Sequence, residues 1–174
     1  MAKPNALGAN IPAGFNTNLA ELPKNFIMTL GLFWLFAPRF DWCLGVAMSF
    51  WGDADVAQKW PSEKNSELIE RLTAVVTSFD VSSPVRDPIL KLLNEAVSLN
   101  DARNDFAHSF IVAHGPSGEL FVQKVRITNK RTTLELQEGV GWSISQVEDV
   151  TYRLAGWCES FEALVASQAK AKWP

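Results

Sequence analysis

Twelve consecutive residues, FIMTLGLFWLFA from Phe26 to Ala37, carry no charge, and after Pro38, Arg39 and Asp41 the chain resumes as WCLGVAMSFWG. A segment this apolar has to leave water, which leaves few arrangements open. A membrane-spanning helix needs about 20 apolar residues, and a charge at mid-membrane costs roughly 2.5–3.5 kcal/mol on insertion scales. Arg39 and Asp41 fall near the middle of the combined stretch. A mostly polar segment precedes the run and no basic region abuts it, so it does not read as a signal peptide. The expectation is a helix buried by a core or an interface, starting with Pro23 in its first turn, ending near Phe50 and kinked or broken at Pro38. The protein is then soluble and cytoplasmic, with no membrane partner. An interfacial membrane protein using Phe26 to Trp51 is the weaker alternative.

The rest of the chain fits a single domain. Its 174 residues can bury roughly 70% of the unfolded surface without a disulfide or metal staple. Residues 1–20 mix Gly, Pro and Asn without periodicity and read as a flexible N-terminal arm; residues 21–168 form the domain and 169–174 a C-terminal tail. A net charge of −3 and a pI near 5.4 provide no global attraction for nucleic acid, so any polyanion site must be local. Cys43 and Cys158 are far apart and lie in apolar helical patterns, which predicts two buried free thiols. With no paired cysteine spacing and only 2 histidines, neither a zinc site nor any other cofactor is expected.

A second helix is predicted over roughly Lys64 to Phe79, with Leu68, Ile69, Leu72, Val75, Val76 and Phe79 on one face. A third opens with Asp87 as N-cap and Pro88 at the first helical position. Its core stripe runs through Ile89, Leu92, Leu93, Ala96 and Val97, and the same spacing then meets Asn100, Arg103, Asn104 and Ala107. Polar residues are thus aimed where the core stripe was heading. An unpaired charge there would cost several kcal/mol, so this helix end needs a solvated cleft or a partner. From His108 the period changes. HSFIVAHG, ELFVQKVRIT and RTTLELQ, separated by turn residues, predict a small antiparallel β-meander over about residues 108–137. A last helix follows, with Ser145 to Glu148 as its capping box and Val147, Val150, Leu154, Trp157, Cys158, Phe161, Leu164 and Val165 as its core face.

The stretch RNDFAH, Arg103 to His108, resembles the Arg-polar-x-x-x-His signature of the HEPN superfamily (higher eukaryote and prokaryote nucleotide-binding domains). The order of elements over residues 25 to 167 is also similar: two helices, the motif helix, strands directly after the histidine, and a long final helix. The resemblance implies a mainly α, up-and-down helical bundle with the β-meander inserted before the last helix. It also implies a metal-independent endoribonuclease, with a toxin- or defence-like role, in which two subunits pack so that both motifs face one cleft. On that basis Arg103 would steady phosphate charge, His108 would act as general base or acid, and Asn104 would orient the site. The alternative is a catalytically inactive HEPN-like module that binds a nucleotide, an RNA or a protein.

The chemistry suits these residue types independently. Metal-free RNA cleavage uses the neighbouring 2′-hydroxyl as nucleophile and needs a proton acceptor titrating near neutrality, which histidine supplies. Arginine is permanently charged, and its planar fork matches phosphate oxygens. A homodimer would double the cations around one phosphate. A structural role competes with this reading: Arg103 could pair with Asp101, Asp105, Asp41 or Glu95, and His108 could cap the helix C-terminus. Phe110 stands where some toxin members carry a modifiable tyrosine, so that route of regulation is not implied. Asp101 and Asp105 weaken local attraction for RNA. Lys124, Arg126, Lys130 and Arg131 form one basic cluster around a hairpin and are the expected weak RNA-binding residues, against a solvated hairpin tip. His114 is expected at a turn or strand end. Core packing is the expected role of most of the tryptophans.

Overall fold

The computed structural model describes residues 22–52, 64–81, 83–107, 109–114, 120–128 and 133–172, with backbone alone for 109–141 and 169–172. The N-terminal arm through residue 20, His108, Lys130 and Arg131 lie outside the described residues.

The protein is mainly helical, built as a bundle of α1 (Lys24–Trp51), α2 (Asn65–Thr77), α3 (Arg86–Ala107) and α4 (Ile144–Lys172). α1 packs against α2 and α4, and α3 packs against the same two. The core is the set of apolar faces that periodicity assigns: Leu68, Leu72 and Val76 of α2, Ile89, Leu93 and Ala96 of α3, and Val147, Leu154 and Cys158 of α4 are all buried. Aromatic rings join the layers. Phe33 of α1 meets Phe106 of α3 edge-on at 4.5 Å, and Phe40 meets Trp157 of α4 at 4.7 Å. The Trp157 indole N–H donates to the Leu92 carbonyl at 2.8 Å, so this large ring is buried with its polar atom satisfied.

Between α3 and α4 the backbone runs as β1 (Ser109–His114), β2 (Leu120–Thr128) and β3 (Thr133–Ser143), paired antiparallel in that order. Lys124 and Arg126 lie on β2, where the pairing with β3 shifts register between Gln123 and Val125. His114 ends β1 and pairs with Leu120.

Several local expectations are corrected. α1 is not broken at Pro38 and runs through it as one element. Proline there removes the bond to the Trp34 carbonyl, and both residues are exposed, so the orphaned acceptor lies on the solvated side of the helix. α3 begins at Arg86 rather than after an Asp87 cap; Asp87 and Pro88 occupy its first turn, where no intrahelical donor is missed. The capping box of α4 is Ser143 with Gln146, two residues earlier than Ser145 with Glu148. The Ser143 hydroxyl accepts from the Gln146 N–H at 3.2 Å, and the Gln146 side chain accepts from the Ser143 N–H at 2.8 Å. α4 continues to Lys172, into the stretch expected as tail. Val97 is 51% exposed; Leu99, fully buried, takes its place in the core.

α1 is buried on one side only. Phe26, Phe33, Phe40 and Leu44 are inaccessible, whereas Ile27, Met28, Trp34, Leu35 and Trp42 are exposed. Trp34 and Trp42 thus depart from the core role expected of the tryptophans. This 28-residue helix is long and apolar enough to cross a membrane, a test that a core helix also passes. Its mid-helix charges are used within the bundle. Arg39 grips Glu162 of α4 with two N–H groups at 2.8 and 2.6 Å, and Asp41 pairs with α3.

Candidate functional site

The polar end of α3 is where the motif residues lie. Asn100 continues the core stripe and is 3% exposed, while Phe106 closes the stripe one turn beyond Arg103. Arg103 therefore sits between buried neighbours, and its charge is met inside the chain. One terminal nitrogen, Nη2, donates to Oδ2 of Asp41 on α1. The other, Nη1, donates to Oδ1 of Asn104 at 2.7 Å. The Nε of Arg103 is buried with no hydrogen-bond partner among the described residues.

Two further amides extend this network. Asn65, the first residue of α2, donates from Nδ2 to the second Asp41 oxygen at 2.6 Å. Asn104 donates from Nδ2 to Oδ1 of Asn100 at 3.3 Å. A single hydrogen-bonded chain thus runs from Asn65 through Asp41, Arg103 and Asn104 to Asn100. It draws on α1, α2 and α3. The arrangement orients the guanidinium from two sides, which is what a positioned cation needs, and it compensates the charge within the chain, which is what a structural pair needs.

Of the residues singled out in the sequence, Arg103 and Asn104 are brought together here. His108 directly follows α3 but lies outside the described residues, as do the side chains of Lys124 and Arg126. Of the carboxylates that could meet Arg103, Asp41 pairs with it; its signal was a charge inside an apolar run. Asn65 carried no sequence signal, because an asparagine at the start of a helix reads only as a terminus. Asp105 accepts from the Trp142 indole N–H at 3.1 Å, so its charge is turned toward the base of α4.

A cavity of about 320 Å³ lies between α2 and α3, lined by Ser66, Ile69, Glu70, Thr73, Asn94, Val97, Asn100 and Asp101. Among the described residues no group of three or more His, Cys, Asp or Glu is placed to hold a metal ion. Cys43 and Cys158 are free and buried; hydrogen bonding with the neighbouring Cys158, together with burial, raises the pKa of Cys43 and keeps its thiol protonated. Compared with known proteins, the chain matches no family model, no curated protein and no solved structure.

Proposed function

We propose that this chain is an HEPN-like helical bundle, with a β-meander inserted before its last helix, that acts as a metal-independent endoribonuclease. The observation that carries the reading is the Arg103–Asn104–Asn100 chain at the end of the motif helix, where a core stripe gives way to a hydrogen-bonded cation. In the proposed reaction His108 takes the proton from the ribose 2′-hydroxyl, and the 2′-oxygen attacks the adjacent phosphorus. The bond from phosphorus to the 5′-oxygen breaks, and a protonated imidazole returns a proton to that oxygen, leaving a cyclic phosphate. Arg103 offsets charge on the phosphate oxygens. Lys124, Arg126, Lys130 and Arg131 would track the flanking backbone.

The working form is proposed to be a cytoplasmic homodimer. Support comes from α1, whose exposed Ile27, Met28, Trp34, Leu35 and Trp42 fall on one face. Gly31 lies on that face, and a Cβ there would meet nothing within 4 Å, so a second helix can approach closely. Such a face resembles half of an interface core.

A second reading is favoured by one contact. The Arg103–Asp41 pair compensates the charge of the cation within the chain, which fits a catalytically inactive HEPN-like module that binds RNA, a nucleotide or a protein. Incubating the purified protein with RNA in EDTA, beside His108→Ala, separates the two. Cleavage by the wild type alone supports the ribonuclease; binding without cleavage supports the module.

A further inference from the structure

The cavity between α2 and α3 is chemically unlike a phosphate site, yet its Asn100 is hydrogen-bonded into the Arg103 network. Its lining includes two carboxylates, Glu70 and Asp101, and, among the described residues, no cation. Two like charges repel a phosphate and accept N–H donors instead. The side walls are apolar: Ile69 is 3% exposed at the floor, and Val97 stands half-exposed inside the groove although its neighbours on the stripe are buried. Asn100 closes one end, almost wholly buried, and accepts from Asn104, whose own oxygen accepts from Arg103. At α2 the groove residue Ser66 directly follows Asn65, the residue that holds Asp41. The cavity and the Arg103 network are therefore contiguous through both helices.

A ligand that suits such a groove is flat, with apolar faces for Ile69 and Val97 and an edge of N–H donors for the carboxylates and amides. Nucleobases have this form, and the volume of about 320 Å³ falls at the small end of ligand pockets, the size of one base with its sugar. Exocyclic amino groups decide which bases fit. Adenine, cytosine and guanine carry one that can donate to a carboxylate; uracil has carbonyl oxygens in place of the amino group and keeps its N3–H as the donor on that edge, flanked by two acceptors that Glu70 or Asp101 would repel.

We infer that the α2–α3 groove is a base-binding subsite for an amino-bearing nucleobase, seated beside the phosphate that Arg103 holds. The inference deepens the ribonuclease reading and rests on it for the phosphate, but the groove itself is testable with nucleosides, which carry no phosphate. Adenosine, cytidine and uridine are titrated separately into isotope-labelled full-length protein, following the Asn94 and Asn100 side-chain amides and the Val97 methyls by NMR. The expected result is saturable shifts at these groups with adenosine and cytidine, and binding of uridine about tenfold weaker. Val97→Trp, which fills the groove from an exposed position, should abolish the shifts. Glu70→Gln with Asp101→Asn, both exposed, should erase the preference over uridine. Equal binding of uridine to the wild type, no shifts with any nucleoside, or shifts that survive Val97→Trp would overturn the subsite. A protein that binds adenosine but cuts no RNA keeps the subsite and loses the ribonuclease; one that cuts RNA but ignores nucleosides does the reverse.

Discussion

Arg103 of α3 and Asp41 of α1 form an ion pair in which each side chain is 24% exposed, and the pair joins the same two helices as the Phe33–Phe106 ring contact. Asn65 holds the carboxylate from the other side. Arg103→Ala should lower stability by about 3 kcal/mol, because it leaves a mostly buried carboxylate without its cation. Asp41→Asn should cost less, since the amide keeps the shape and can still accept from Arg103. In a double-mutant cycle read from urea midpoints, coupling should exceed about 1 kcal/mol. Additive costs would show that the two side chains merely lie close.

The motif residues should fail in different ways if the site cleaves RNA. His108→Ala should abolish cleavage while leaving RNA affinity nearly unchanged, because a neutral imidazole adds little Coulomb attraction. Arg103→Ala should weaken both, and should reduce the salt slope of binding by about 0.7 for each single-strand phosphate that it no longer neutralises. Melting curves of both variants are the necessary control. A large loss of stability in Arg103→Ala, with no cleavage by the wild type, would make the motif architectural.

The exposed face of α1 makes a solution prediction. Trp34 and Leu35 are 52% and 62% exposed, so Trp34→Glu with Leu35→Glu should leave the fold intact while placing charge at the centre of the proposed seam. Light scattering at micromolar concentration should give a dimer for the wild type and a monomer for this variant. A wild-type monomer would remove the dimer from the proposal.

Stability should also carry a small acid-side signature from Arg39 and Glu162. The hydrogen bonds from Arg39 hold the Glu162 carboxyl below its ordinary value of 4.5. A lowered folded-state value means that the pair stabilises the protein above that ordinary value, and the gain is lost as pH falls through the lowered one. Both side chains are more than a third exposed, so the contribution is at most about 0.5 kcal/mol. The stability difference between wild type and Glu162→Gln should be constant near neutral pH and shrink toward zero in acid. A difference that grows in acid would assign Glu162 the opposite shift.

Much of the helical architecture was legible because burial imposes a period. Leu68, Leu72 and Val76, or Val147, Leu154 and Cys158, recur at three and four residues because one face of each helix meets the core. Helix ends were less legible. Two serines, Ser143 and Ser145, each precede a Glu or Gln at capping distance, and only the backbone decides which one caps α4. Val97 and Leu99 show the same limit on a helix face, since both are apolar and only the position of the neighbouring helix settles which is buried.

The sequence by itself determined that a long apolar helix must be covered, that α3 ends in polar residues on its core side, and that Arg103 there needs a solvated cleft or a partner. These are local consequences of side-chain chemistry and spacing. Tertiary structure alone decided that Asp41 is that partner, with Asn65 on its far oxygen, because both lie on helices whose approach no local pattern encodes. It also decided that Ile27, Met28, Trp34, Leu35 and Trp42 on the outer side of α1 are exposed. Periodicity tells which residues avoid water. Which partner removes them from it depends on how the helices pack.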